Sequence, residues 1–268
     1  MPGTYSKILV YYPDNKRSVA VETLIRTIVD AGYEVIVLTL TARGPFHEEL
    51  EKKGIRTLSH VLVRKNAWTY FYKHSRFLAR FCKKEGINIV LSHLQDANFI
   101  AVLSSLFLKA KVTTFRHHDE SSFFAEYGER VRLKRNKKEV LIDWFINRFS
   151  KKIVVLSEHV KESMIRHERC SEKKIVVCPL IYDFSMYPLP EPAVVYEVRQ
   201  AHPCNLLLLM VSRFISTKQH LPVFEVVSGL IKEGLSIKII ALDEGPLKLE
   251  MEKFVMNRSL GSYIYARV

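Results

Sequence analysis

The chain has 268 residues, 48% of them hydrophobic, with 41 Lys and Arg against 28 Asp and Glu and a formal charge of +13. No apolar run reaches the roughly 20 residues that cross a bilayer, and MPGTYSKILVYYP at the N-terminus lacks the cationic start, long apolar stretch and small-residue cleavage site of a leader. Cys82, Cys170, Cys178 and Cys204 form no Cys-x-x-Cys pair, which argues against a zinc site and suits small buried thiols in a reducing cytoplasm.

KILVYY (7–12) is a continuous apolar run, the pattern of a strand buried on both faces of a parallel sheet. SVAVETLIRTIVDAG follows, with Val21, Leu24, Ile25 and Ile28 on one helical face and Gly32 as the stop. YEVIVLTL (33–40) is the next strand, and PFHEELEKKG is a short helix with Pro at its start and Gly54 at its end. IRTL and VLV are short strand candidates. Residues 67–85 form a basic amphipathic helix closed by Gly86, followed by strand INIVLS (87–92), helix 95–109, strand KVTTF (111–115) and helix 138–149. KKIVVLS (151–157) leads into another helix, and KKIVVCP (173–179) is a further strand. YDFSMYPLPEPAVV (182–195), with three prolines, breaks this rhythm and reads as a linker. A second alternation then starts: NLLLLMVS (205–212), helix 218–233, LSIKIIAL (235–242), helix 246–257 and SYIYARV (262–268).

Strict alternation of strand and helix predicts an α/β architecture with doubly wound parallel sheets. The expected division is a Rossmann-like N-terminal domain over 1–188, a linker over 189–203, and an incomplete second Rossmann-like domain over 204–268. The last strand of the short domain is expected to present an open edge.

The charge is concentrated. Residues 64–84 hold seven Lys or Arg and no acid, and residues 128–152 hold nine basic against three acidic side chains, which together account for the whole excess. Two local basic surfaces imply an anionic partner: a membrane leaflet, a nucleic acid or an acidic substrate. Helix 67–85 interleaves its cations with Trp68, Tyr70, Phe71, Tyr72, Phe77 and Phe81. It is either an ordinary amphipathic helix with a solvated basic face or a surface that docks on an anionic membrane. Nucleic acid is the weaker candidate, because no RNP-like, helix-turn-helix or zinc-finger signature is present.

Ligands of an open parallel sheet bind beyond the carboxyl ends of its strands. Asp14, Asn15, Lys16 and Arg17 follow the first strand, His93 and Gln95 follow INIVLS, and Arg116, His117, His118 and Asp119 follow KVTTF. Ser157 and Glu158 follow KKIVVL, Arg213 and Lys218 follow LLLLMVS, and Glu244 and Gly245 follow LSIKIIAL. RHHDE (116–120) is the densest polar cluster. Adjacent residues of an extended chain point to opposite faces, so His117 and His118 do not share a metal ion. Either one imidazole faces a substrate hydroxyl or leaving group, or the histidines only bond loop backbone. Arg213 and Lys218 form a cationic corner near a helix start, suited to a diphosphate, with surface cations near neighbouring acids as the alternative. Gly245 permits close backbone approach, or simply makes a turn.

Several of these segments resemble one family. SRFISTKQH resembles the G-R-hydrophobic-x-x-x-K-G turn of family 4 glycosyltransferases with the GT-B fold, and ALDEGP their G-x-G-P turn. VVLSEHVKESM resembles their V-S-x-x-x-K-x-x-L stretch, and KIVVCPLIYDFSMY their K-I-x-V-I-P-N-G-V-D-x-x-x-F. TTFRHHDES sits where the family carries H-D or H-G, and SYIYARV is similar to its F-x-G-R-V strand. The matches come in family order across nearly the whole chain. The resemblance implies a GT-B-like fold and a sugar transferase using a UDP- or GDP-linked donor, with retention and with no metal or other cofactor. The acceptor would be a glycan or lipid-linked precursor of a polysaccharide or lipopolysaccharide, met at the cytoplasmic face of the cell membrane. Arg213 and Lys218 would hold the donor diphosphate, and Glu244 and Gly245 would approach the donor. His118, His117 and Asp119 would stand near the transferred sugar, with Asn15, Lys16 and His93 on the acceptor side.

Three departures qualify the resemblance. The family's glycine-rich loop after strand one reads PDNKRSV here, and Ser212 and Gln219 stand where the family has glycines. The family's E-x7-E region would follow the last strand, so the chain is expected to be truncated within its second domain. A catalytically incomplete transferase-like binding or membrane-docking protein, and another sugar-nucleotide enzyme such as an epimerase, are the alternatives.

Overall fold

A computed structural model describes residues 7–117, 137–180, 182–184 and 189–267. The Cα packing separates a first unit that ends at Phe184 from a second that follows it.

In the first unit, strands β1 (Lys7–Tyr12), β2 (Glu34–Thr39), β3 (Arg56–Ser59), β4 (Ile89–His93), β5 (Lys111–Arg116), β6 (Lys152–Val155) and β7 (Ile175–Val177) form one sheet. Its order is β3-β2-β1-β4-β5-β6-β7, and every neighbouring pair is parallel. Helices α1 (Val19–Asp30), α2 (Pro45–Lys52), α3 (Ala67–Glu85), α4 (Gln95–Ser104), α5 (Lys137–Phe149) and α6 (Glu158–Arg166) carry the chain between strands. The expected α/β parallel architecture is therefore present. Two details differ. VLV (61–63) forms no strand, and the helix expected over 95–109 stops at Ser104.

The continuous apolar reading of KILVYY has a direct structural meaning. Successive side chains of a strand face opposite sides of the sheet. Leu9 and Tyr11 join a core with Phe71 and Leu78 of α3 and Ile100 of α4. Val10 and Tyr12 join a separate core with Val21 and Ile25 of α1 and Phe46 and Leu50 of α2. Each such buried side chain contributes about 1.5–3 kcal/mol relative to exposure. Asn66 caps α3 by accepting from the Thr69 amide at 3.1 Å, and Gly86 ends it at φ 70°.

Arg116, placed by the sequence in a ligand-edge polar cluster, is instead a buried structural cation. It is 7% exposed. Its guanidinium donates to Asp143 of α5 at 2.6 Å and to both oxygens of Glu168 at 3.0 and 3.1 Å. Asn147 donates to Glu168 at 2.6 Å, and Gln95 donates to Asp143 at 2.9 Å. A buried charge persists only when paired and bonded in this way.

In the second unit, strands β8 (Leu206–Val211), β9 (Ile237–Leu242) and β10 (Ile264–Arg267) are parallel, in the order β10-β9-β8. Its helices are α7 (Pro192–Ala201), α8 (His220–Lys232) and α9 (Lys248–Asn257). Phe224 and Val227 of α8 and Met251 of α9 pack on Ile237, Ile239 and Ala241 of β9. Helix α7 lies inside the stretch read as linker. Pro192 occupies its first turn, where a missing amide is tolerated, and none of its residues is buried. LLLLMV, a continuous apolar run, read as a buried strand. Among the described residues it pairs only with β9, and Leu209 and Val211 are 62% and 67% exposed. An open edge was expected at the last strand; the first strand of this sheet is an edge as well.

Buried histidines link this packing to pH. Burial pushes His74 down to about 4 and His93 down to about 3, and lowers His47 and His60 below 6.5. The unfolded chain therefore binds more protons than the folded one once pH drops below about 6.5. Stability is full above that value and is lost progressively as pH falls toward the depressed folded values. The urea midpoint of unfolding is expected to fall between pH 7 and pH 5, a window above the range where carboxylates titrate. A midpoint that stays constant or rises across that window would contradict these buried neutral rings.

Candidate functional site

The carboxyl edge of the first sheet gathers most of the candidates. The loop after β1 is held by its own side chains. The amides of Asn15 and Lys16 donate to the Asp14 carboxylate at 2.7 and 3.3 Å. The Asn15 side-chain amide donates to the Ala42 carbonyl at 2.9 Å, and the Asn15 carbonyl accepts from the Phe46 amide at 3.0 Å. A Cβ on Gly44 would lie 2.9 Å from the Asn15 side chain. Asn15 thus clasps the loop before α1 to the loop before α2. Arg17 donates to buried Glu22 at 3.1 and 2.8 Å. Lys16 is exposed at the same loop.

His93 and His117 come together at the ends of β4 and β5. Nδ1 of His93 and Nε2 of His117 are 3.2 Å apart. His93 is buried, His117 half-buried. Burial first, and then the His117 ring, depress His93 to about 3. The two imidazoles line a narrow cleft of about 60 Å³ with Val21 and Leu24 of α1, Leu156 and Cys178. His118 and Asp119 lie outside the described residues. Ser157, at the end of β6, accepts from the Val160 amide at 3.3 Å and caps α6.

In the second unit, the loops after β8 and β9 are locked together. The Phe214 amide donates to the Glu244 carbonyl at 2.9 Å, and the Leu247 amide to the Phe214 carbonyl at 3.0 Å. Gly245 sits against this backbone. A Cβ there would lie 2.5 Å from the Phe214 carbonyl oxygen and 2.8 Å from its nitrogen. Gly245 is therefore required by the close approach of the Arg213 loop, which gives the Glu-Gly-Pro turn a packing role.

Arg213 and Lys218 are both exposed, and among the described residues neither side chain has an ion pair or hydrogen bond. Arg213, Asp243, Glu244, Gly245 and Lys248 line an open cleft of about 670 Å³. Lys218 lies in a short 3-10 turn, Ser216–Lys218, just before α8. Gln219, at the position of a family glycine, has φ 56°, a left-handed conformation that glycine adopts freely. Ser212, at the other glycine position, has its hydroxyl 3.3 Å from Nε2 of buried His220. Burial, and then Lys218, lower His220.

Cys178, Asp243 and Lys248 were not singled out from the sequence. Each was within reach of the rule that ligands meet a parallel sheet at its carboxyl edge. Lys248 carries a further signal, since a cation in the first turn of a helix opposes the helix dipole. Among the described residues, no group of three His, Cys, Asp or Glu side chains is placed to hold a metal ion. No helix among them is long and apolar enough to cross a membrane.

A family model described as Glycosyltransferase Family 4 matches residues 18–185, more than half of the chain. No curated protein matches it. A glycosyltransferase from Rickettsia africae superimposes with a TM-score of 0.72 at 20% identity, covering 99% of this chain and 68% of that one. The Anabaena protein Alr3699/HepE in complex with UDP gives 0.73 at 14% identity, covering 97% and 68%. The UDP-GlcNAc 2-epimerase of Neisseria meningitidis, bound to UDP-GlcNAc, gives 0.63 at 12% identity, covering 97% and 71%. Identities this low establish the shared fold.

Gly245→Ala is expected to destabilise the second unit by about 1–3 kcal/mol, the usual range for overpacking. Urea unfolding monitored in that unit checks it. A neutral result would mean that the two loops can separate freely.

Proposed function

The chain belongs to glycosyltransferase family 4, and from that premise we propose that it moves a sugar from a nucleotide-sugar donor to a glycan or lipid-linked acceptor. The observation that carries this reading is the pair Arg213 and Lys218, two exposed cations without an ion-pair partner among the described residues, at the carboxyl end of β8. The anomeric carbon–oxygen bond to the diphosphate breaks and releases the nucleoside diphosphate, a bond to an acceptor oxygen forms, and the acceptor hydroxyl's proton passes to the departing diphosphate or to water. Negative charge grows on the departing diphosphate. Arg213 would meet it with forked hydrogen bonds and Lys218 with a point charge, stabilising the transition state more than the ground state. Such cations supply the charge that a divalent metal provides elsewhere, which supports a metal-independent reaction. Retention rests on the family resemblance alone.

Glu244 and the Gly245 turn would approach the donor. His117, with His118 and Asp119, would stand beside the transferred sugar, and Lys16, Asn15 and His93 on the acceptor side. UDP in the Anabaena relative supports a uridine nucleotide as the first donor to test.

An outer layer of the first unit supports docking on an anionic membrane. Helix α3 packs on α4, and α4 on α5. Trp68, Tyr72, Phe107, Trp144 and Phe149 are all about half exposed or more on these helices and the turn after α4. Lys73, Arg80, Lys83 and Lys84 are exposed along α3, and Arg76 lies 5.3 Å over the Phe107 ring. Aromatic rings that insert beside cations suit an anionic headgroup layer.

Calorimetric titration with UDP and GDP tests the donor site. One nucleotide is expected to bind, and Arg213→Ala and Lys218→Ala are each expected to weaken it at least tenfold. A folded chain that binds neither nucleotide overturns the reading. For the membrane face, the chain should sediment with vesicles containing phosphatidylglycerol and not with pure phosphatidylcholine. Lys73→Glu/Arg80→Glu/Lys83→Glu should abolish that binding, and equal binding to both vesicles would refute it.

A further inference from the structure

A cavity of about 450 Å³ opens in the first unit between α5 and the chain that follows α6. Arg148, at the end of α5, and His167 and Arg169, just past α6, all line it. The three are exposed, and among the described residues none of their side chains has an ion pair or a hydrogen bond. Arg148 only rests 5.6 Å over the Phe149 ring. The carboxylates of the same cavity, Asp143 and Glu168, are turned to buried Arg116 at 2.6 and 3.0 Å.

A cation at a helix end has an ordinary use, to bond the last carbonyls and complement the helix dipole. At α5 that use is taken by Lys174, whose Nζ donates to the carbonyls of Arg148 at 2.7 Å and of Asn147 at 3.2 Å. Arg148 is left for another task. Arg169 stands out for its backbone. It has φ 51°, the left-handed conformation that Gly54 and Gly86 supply just past α2 and α3 at 75° and 70°. Glycine adopts that conformation freely and a side chain is strained there. Glycine would serve the fold better, so the guanidinium is kept against a local cost.

Asn147 adds an empty acceptor. It lines the cavity and is 6% exposed. Its Nδ2 donates to Glu168 at 2.6 Å, which fixes the two ends of the amide, and Oδ1 is buried with no hydrogen-bond partner. Buried acceptors seldom stay unused. This one calls for a donor from a ligand that the arginines would attract by negative charge.

We propose that this cavity is a second ligand site, for a phosphate ester that carries a free hydroxyl. Arg148 and Arg169 hold the phosphate by forked hydrogen bonds, and the hydroxyl donates to Oδ1 of Asn147. Trp144, 55% exposed on the same cavity, covers the carbon chain. The site does not rest on the donor reading, because it lies within the first unit and Arg213 and Lys218 belong to the second. A soluble phosphate ester and a phospholipid headgroup offer the same chemistry.

Calorimetric titration of the full chain with glycerol 1-phosphate and with methyl phosphate tests it. Glycerol phosphate is expected to bind with a dissociation constant of about 1 mM or tighter, and methyl phosphate, which lacks the second hydroxyl, at least tenfold more weakly. Arg148→Ala and Arg169→Gly should each weaken glycerol phosphate at least tenfold. Arg169→Gly should keep or raise the urea midpoint, since glycine suits φ 51°, so its lost binding cannot be lost folding. A folded chain that does not bind glycerol phosphate overturns the proposal, as does full binding in both variants. Equal binding of methyl phosphate overturns the role of Asn147. Binding lost in Arg213→Ala would place the ligand at the donor cleft and overturn the second site. Excess glycerol phosphate that releases the chain from phosphatidylglycerol vesicles assigns the site to a headgroup. Vesicle binding that it leaves unchanged assigns the site to a soluble ester.

Discussion

A parallel sheet covered by helices on both faces leaves its chain few places to be polar. In the first unit β1 illustrates the constraint: Leu9 and Tyr11 fill one core and Val10 and Tyr12 the other. Any side chain that must meet a polar ligand is then displaced to the loops beyond the strand ends. Because all strands run the same way, those loops share an edge. His93 and His117 meet there because β4 and β5 are hydrogen-bonded neighbours, with His93 in register with Phe115.

Two arginines at carboxyl ends of strands show how burial separates structure from function. Arg116 is enclosed and paired with Asp143 and Glu168, so its charge is committed to holding α5 and the chain just after α6 against the sheet. Arg213 is exposed, and no carboxylate among the described residues neutralises it. A buried charge that lost its partners would cost several kcal/mol, whereas an exposed one keeps its water until an anion replaces it. The same residue type in the same topological position is a bolt in one unit and an exposed cation in the other.

Backbone strain follows the same edges. Five described residues other than glycine have positive φ: Leu94, Arg169, Gln219, Asp243 and Ser259. Leu94 follows the end of β4, Asp243 the end of β9, and Gln219 the Lys218 turn. Such conformations survive where surrounding contacts over-determine them, which is common where a loop must present a group in one direction. At Gln219 the chain makes a left-handed turn without a glycine to relax it. At Gly245 it keeps the glycine, because Phe214 leaves no room for a Cβ.

Local pattern was enough for the elements and their order. Apolar runs with period two or with none, helical faces three and four residues apart, starts such as Pro45 and stops such as Gly86 are short-range signals, and they placed nearly every strand and helix. Helix α7 escaped because its prolines read as breakers, although Pro192 sits where a helix accepts one. The family turn around Arg213 was also legible, since its spacing is local. Partnership was not. That Arg116 would be buried by Asp143 and Glu168, that Asn15 would bind Ala42, and that His93 would meet His117 depend on residues 27 to 52 positions away, or 24 for the histidine pair. The sequence by itself determined which segments become strands and helices, because those choices are made between near neighbours. Only the tertiary structure decided which polar groups are consumed by the fold and which stay open to a ligand, because burial and pairing are set by what the fold brings close.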